Sequence, residues 1–151
     1  MKNKFKLLII ISIIAIILTI IIFTVLNLYI KNNNKTIVLN VFHGETCPAC
    51  LNAIEKMKEN LVSIDNLEIR TYEIWNNSEN NKLLSKVAEK INYDVKYIPF
   101  FLIDSTYFEQ YKESQIIDKI QTLMKSKKYN NIIDEILKEN SDIKPSYEIL
   151  K

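Results

Sequence analysis

The chain opens on one long hydrophobic block and then breaks into short segments whose polar and apolar positions alternate with different periods. Positions 7–30 hold Leu, Ile, Val, Phe and a few small polar residues, with no charge among them. As a helix rising about 1.5 Å per residue, these 24 positions reach roughly 36 Å, more than the roughly 30 Å hydrocarbon core of a bilayer. They predict a helix that spans a membrane with some tilt. Lys31 to Lys35, read Lys-Asn-Asn-Asn-Lys, is a polar spacer. From Thr36 to His43 the pattern changes, and Ile37, Val38, Leu39, Val41 and Phe42 form the mostly apolar run of a strand buried in the middle of a sheet. Gly44 ends it.

Beyond Gly44 the periods alternate. Leu51, Ile54, Met57 and Leu61 predict a helix from Pro48 to about Leu61 with those four on its inner face. Leu67, Ile69, Tyr72 and Ile74 predict a strand from Leu67 to about Trp75. Ser78 to Ile91 is helical, with Leu83, Leu84, Val87, Ala88 and Ile91 in one stripe. Pro99 opens a strand of Phe100, Phe101, Leu102 and Ile103, and Asp104-Ser105 turns the chain into a short strand from Thr106 to Tyr111. A helix from Glu113 to Lys125 points Ile116, Ile117, Ile120, Leu123 and Met124 inward. Ile132, Ile133, Ile136 and Leu137 predict one more short helix, which either covers the sheet or lies on a partner, and the end from Asn140 reads as frayed. The order β-α-β-α-β-β-α is that of an α/β domain. The expected organisation is a cytoplasmic end (1–6), an anchor (7–30), a linker (31–35), a domain (36–128) and a C-terminal helix and tail (129–151).

Length and charge narrow this. A chain of 151 residues holds one compact domain plus an appendage. The exit from the apolar block, Asn27-Leu28-Tyr29-Ile30, has no Ala-x-Ala cleavage pattern and no cysteine for a lipid, so an uncleaved anchor is expected. Lys2, Lys4 and Lys6, with the amino terminus, place the N-terminus inside and the domain outside the cytoplasmic membrane. With those three lysines set aside, 17 of the 20 basic residues face 18 acidic ones, a balance that argues against a nucleic-acid partner.

The candidate chemistry lies in the only two cysteines, Cys47 and Cys50, in the run Cys-Pro-Ala-Cys. A structural disulfide framework ties distant segments with several bridges, and a single short loop stabilises little. With Cys47 at the N-cap of the following helix, Pro48 falls at the first helical position, where its missing N–H costs nothing. Cys50 then reaches the third position, and its N–H points back at the Cys47 sulfur. The positive end of the helix favours a thiolate there. Cys47 is thus the expected nucleophile and Cys50 the resolving thiol of an exchange reaction that needs no dissociable cofactor. Other uses of the pair stay open. Structural zinc wants two further Cys or His and finds only His43, whereas a copper carrier needs just two thiolates, and an inert disulfide needs nothing more.

The segment Val38 to Cys50, together with Val95-Lys96-Tyr97-Ile98-Pro99-Phe100, resembles the thioredoxin superfamily, over roughly Thr36 to Lys125. The resemblance implies a thioredoxin fold, a mixed four-stranded sheet flanked by helices, here with an N-terminal transmembrane helix. It implies a cis Ile98–Pro99 bond facing the cysteines, with Ile98 and Pro99 shaping the substrate groove. Anchor plus domain resemble the extracytoplasmic thioredoxin-like proteins of Gram-positive bacteria, and Gly-Glu-Thr-Cys-Pro-x-Cys resembles bacteriocin transport accessory proteins less specifically. Two features depart from thioredoxin: Thr46 replaces the Trp before the first cysteine, and Val41 replaces the buried Asp. Asn40 is one place off and belongs to the other face of the strand. Another group or water must then move the Cys50 proton, and Glu45 is one candidate. Cys-Pro-x-Cys resembles glutaredoxins and DsbA-like oxidases, while Ile98 resembles thioredoxin, so the two cues disagree on the direction of electron flow.

Among the remaining residues, His43 reads as a strand-end histidine bonded to backbone rather than a thiolate partner or metal ligand. Trp75 and Tyr72 read as strand-end packing, and Phe100 and Phe101 as core. Tyr97 is open between lining a groove and simple exposure. Lys125, Lys127 and Lys128 read as a solvated helix end. The expected function is thiol–disulfide exchange on extracytoplasmic protein thiols and disulfides. The alternative is a membrane-tethered copper carrier or an accessory subunit of a bacteriocin or peptide exporter.

Overall fold

The computed structural model describes residues 2–33 and 35–151. Met1, in the expected cytoplasmic end, and Asn34, in the expected linker, lie outside them. The chain divides into two compact units, Met1–Lys35 and Thr36–Lys151.

The first unit is one helix, α1 (Lys2–Asn33), which runs past both ends of the uncharged block. Its segment Ile9–Asn27 has a mean hydropathy of 3.3 and is nowhere buried, so it is long and apolar enough to cross a membrane. Its hydroxyls bond back to the helix itself. Ser12 donates to the Ile9 carbonyl at 3.0 Å, and Thr19 and Thr24 donate to those of Ile16 and Ile21 at 2.8 Å. Such internal bonding is what a polar group needs where no water reaches.

The second unit is α/β. In order it runs β1 (Ile37–His43), α2 (Pro48–Asn60), β2 (Leu67–Glu73), α3 (Ser78–Ile91), β3 (Phe100–Ile103), β4 (Thr106–Phe108), α4 (Glu113–Lys125), α5 (Ile132–Glu139) and β5 (Glu148–Ile149). The strands form one mixed sheet in the order β4-β3-β1-β2-β5, with β1 and β2 parallel and the other pairings antiparallel. The central strand β1 is buried from Ile37 to Phe42, which explains its nearly unbroken apolar run. Alternate residues of β1 feed two cores. Ile37, Leu39 and Val41 join Met57 and Leu61 beside α2 and Ile116 and Ile120 of α4. Phe42 joins Tyr72, Leu83, Val87 and Phe100 with Ile133 and Ile136 of α5. Each such side chain, fully buried, stabilises the fold by about 1.5–3 kcal/mol.

Local signals set the element ends. Asn77 caps α3, its side-chain oxygen accepting the Glu79 and Asn80 N–H groups at 3.1 and 3.0 Å. Asn92 closes the same helix in the left-handed region, φ 52°. Asp104, also left-handed at φ 57°, makes the tight turn from β3 to β4.

Two expectations change, and one open alternative is decided. The sheet has five strands rather than four, because the tail expected to fray returns to lay β5 along the open edge of β2. Tyr147, just before β5, packs on Tyr72 at 5.5 Å between centroids and lies under the Arg70 guanidinium at 4.9 Å, which fixes that return. The short last helix covers the sheet, packing with α3 in the second core. Leu51 is 53% exposed rather than inward, since it sits about 100° round the helix from its neighbour Cys50. The buried face of α2 is Cys50, Ala53 and Met57.

Candidate functional site

The site is built where β1 runs out. After His43 the chain turns through Gly44, Glu45 and Thr46, and the Cys47 N–H donates to the Gly44 carbonyl at 3.3 Å. Cys47 is the N-cap of α2, with extended backbone (φ −75°, ψ 114°), and Pro48 follows at the start of the helix. Both are what the local sequence asks for, because proline suits the first helical turn and supplies no orphan donor. The Cys50 N–H donates to the Cys47 sulfur at 3.2 Å and sits 3.0 Å from the Cys47 carbonyl. Cys47 and Cys50 form a disulfide, their Cα atoms 5.2 Å apart. Cys47 keeps 7% of its surface open to solvent and Cys50 none. No acidic residue stands in the first turn of α2, so nothing on the helix opposes the positive end of its dipole.

The second predicted feature lies at the same end of the sheet. Phe100 of β3 pairs with Phe42 of β1 in antiparallel register, so the start of β3 is beside the end of β1. Pro99 is buried there, the Ile98–Pro99 bond is cis, and half-buried Ile98 packs on the second core.

Other sequence candidates find definite places. His43 is half-buried, its Nδ1 3.4 Å from the Gly44 carbonyl oxygen. Glu45 is exposed and accepts a hydrogen bond from the Asn76 side chain at 2.9 Å. Val41 is fully buried on the α2 and α4 side. Asn40 lies on the other face, where it bonds Asn131 and accepts from the Tyr72 hydroxyl at 3.4 Å. Burial pushes the Tyr72 phenol up, which keeps it protonated for that donation. Tyr97 is 65% exposed and lines, with Trp75, Leu84, Val95 and Ile98, a cavity of about 500 Å³.

The residues missed from sequence are Glu73 and Asn76. Glu73 is the last residue of β2 and Asn76 lies in the loop after it, and with His43, Glu45 and Glu148 they line a polar cavity of about 590 Å³ at the carboxyl ends of β1 and β2. Glu73 accepts the N–H groups of Trp75 and Asn76 at 2.7 and 2.9 Å. Nothing in the spacing of these residues marks them, because the loop meets the turn before Cys47 only through the parallel pairing of β1 and β2.

Among the described residues, no group of three His, Cys, Asp or Glu side chains gathers as metal ligands. The arrangement suits chemistry carried by the sulfur pair itself. In it, a nearly buried sulfur at a helix N-terminus meets a fully buried partner one turn deeper. No family model, no curated protein and no solved structure matches the chain in comparison.

Proposed function

We propose that this chain is a thiol–disulfide oxidoreductase of thioredoxin-like fold, held at the membrane by α1 and acting on extracytoplasmic protein substrates. The observation that carries the proposal is the Cys47 sulfur at the N-cap of α2, accepting the Cys50 N–H at 3.2 Å. In the reduced form that donor and the helix dipole favour a thiolate on Cys47. The mixed sheet supports the fold reading, with β1 central, a parallel β2 on one side and the antiparallel β3–β4 hairpin on the other.

The exchange proceeds in two displacements. The Cys47 thiolate attacks one sulfur of a substrate disulfide. A Cys47–substrate bond forms, the substrate S–S bond breaks, and the leaving thiolate takes a proton. Cys50, losing its proton, then attacks the Cys47 sulfur. The Cys47–Cys50 bond forms and the substrate leaves fully reduced. Run backwards, the same steps oxidise a substrate dithiol, and the reduction potential of the pair sets the direction. Ile98 and Pro99 bound the substrate groove at the start of β3, where backbone next to the site is positioned to pair with an extended chain.

Cys50→Ser tests this directly, because it stops the reaction after the first displacement. Expressed as the full chain, it should accumulate mixed disulfides through Cys47 that a reductant releases. The Cys47→Ser protein should accumulate none. Failure of Cys50→Ser to trap any protein, together with one Cu(I) bound per chain, would favour the copper-carrier reading.

A further inference from the structure

Gly44 is the only glycine in the chain and Trp75 the only tryptophan, and the fold presses one against the other. A Cβ built on Gly44 would overlap Cδ2, Cε2 and Cε3 of the Trp75 indole, so the six-membered ring lies where any other side chain would begin. Gly44 is buried there, while Trp75 stays 54% exposed. The ring is held from its own side. The Glu73 carboxylate clasps the Trp75 and Asn76 N–H groups. The loop is also tied to the turn on both flanks of Gly44. The Ile74 N–H donates to the His43 carbonyl at 2.9 Å, and the Asn76 side chain donates to Glu45 at 2.9 Å. Gly44 in turn accepts the Cys47 N–H at 3.3 Å.

We propose that Trp75 is a positioning residue for Cys47. Its ring, packed on Gly44, holds the turn 44–47 in the conformation that sets Cys47 at the N-cap of α2 with its sulfur beneath the Cys50 N–H. The proposal rests on the thiol–disulfide reading and adds a residue outside the cysteine pair, which acts through Gly44. Two effects compete when the ring is removed. A looser turn misaligns the sulfur and its donor, which disfavours the thiolate, whereas water admitted to the site favours it. The Cys50 donor sits at 3.2 Å, in a turn that the ring closes on directly at Gly44, so the lost alignment prevails.

The test uses the full chain in detergent, in a Cys50→Ser background that leaves Cys47 the sole thiol. Its rate of alkylation by iodoacetamide is followed against pH. Trp75→Ala should move the midpoint upward by about half a pH unit, roughly a threefold loss of rate below the midpoint. Trp75→Phe should restore most of it, because a smaller ring still covers Gly44. Gly44→Ala, which pushes the ring away from the other side, should shift the midpoint in the same direction. Circular dichroism checks that each protein is folded, and if Trp75→Ala is not, the Gly44→Ala midpoint decides. Unchanged midpoints in the folded variants overturn the proposal. Absence of mixed disulfides in the parent would instead defeat the exchange reading, and the midpoint comparison would stand independently of it.

Discussion

Asn40, in the middle of the central strand, donates its side-chain amide to the Asn131 side-chain oxygen at 3.2 Å. That same oxygen accepts the Ile133 N–H at 3.4 Å as the N-cap of α5, so one acceptor ties the last helix to the sheet. Asn40 is fully buried and Asn131 is 5% exposed, which makes the loss of the acceptor costly. Asn131→Ala should lower the unfolding free energy by about 1–3 kcal/mol. In urea denaturation this reads as a lower midpoint with an unchanged slope. An unaltered midpoint would show that the packing of Ile132, Ile133 and Ile136 holds the helix by itself.

The two cysteines differ in access, and their chemistry should follow. After reduction of the full chain, a small alkylating agent should modify Cys47 first. Peptide mapping of a partially alkylated sample checks the order. Because Cys50 is fully buried, the Cys47→Ser protein should react at least about tenfold more slowly than the Cys50→Ser protein. Equal rates would mean that the first turn of α2 opens freely in the reduced form.

Glu73 gives the loop around Trp75 a dependence on pH. Burial raises its pKa, but the N–H groups of Asn76 and Trp75, with the Glu45 backbone and nearby His43, outweigh that and hold it below the ordinary value of 4.5. A carboxyl that binds its proton less readily when folded contributes stability above its unfolded pKa, and that contribution is lost as the pH falls through the folded one. The denaturation midpoint should therefore fall on acidification below about pH 4.5, and Glu73→Gln should flatten that decline. A variant whose acid limb superimposes on the parent's would remove Glu73 from the account.

For α1 the test is partition. The full chain should stay with membranes through alkaline carbonate extraction. Ile14→Lys with Leu18→Lys should release it, since each central charge costs about 2.5–3.5 kcal/mol of insertion. With the N-terminus inside, a membrane-impermeant maleimide should label the reduced Cys50→Ser protein at Cys47 on intact bacterial cells. Labelling confined to lysed cells would reverse the orientation.

Much of this architecture was legible because its signals are local. The uncharged run from Leu7 to Ile30 specifies a long apolar helix whatever surrounds it. Cys47-Pro48 specifies an N-cap and a first helical position, since proline has a fixed φ and no N–H to satisfy. The boundaries Ser78–Ile91, Phe100–Ile103 and Glu113–Lys125 follow from periodicity and turn residues within a few positions. What tertiary structure alone decided involves partners far apart in the chain. The pairing of Glu148–Ile149 with β2 is too short for a two-residue period to mark, and it exists only because the sheet leaves that edge open. The partners that satisfy the buried Asn40 amide, the Leu102 carbonyl and the Asn131 side chain, come from far along the chain. The same holds at the cysteine pair. Sequence placed Cys47 on the helix end, but the contact of Trp75 with Gly44 requires β1 and β2 to lie side by side, a juxtaposition that no local pattern encodes.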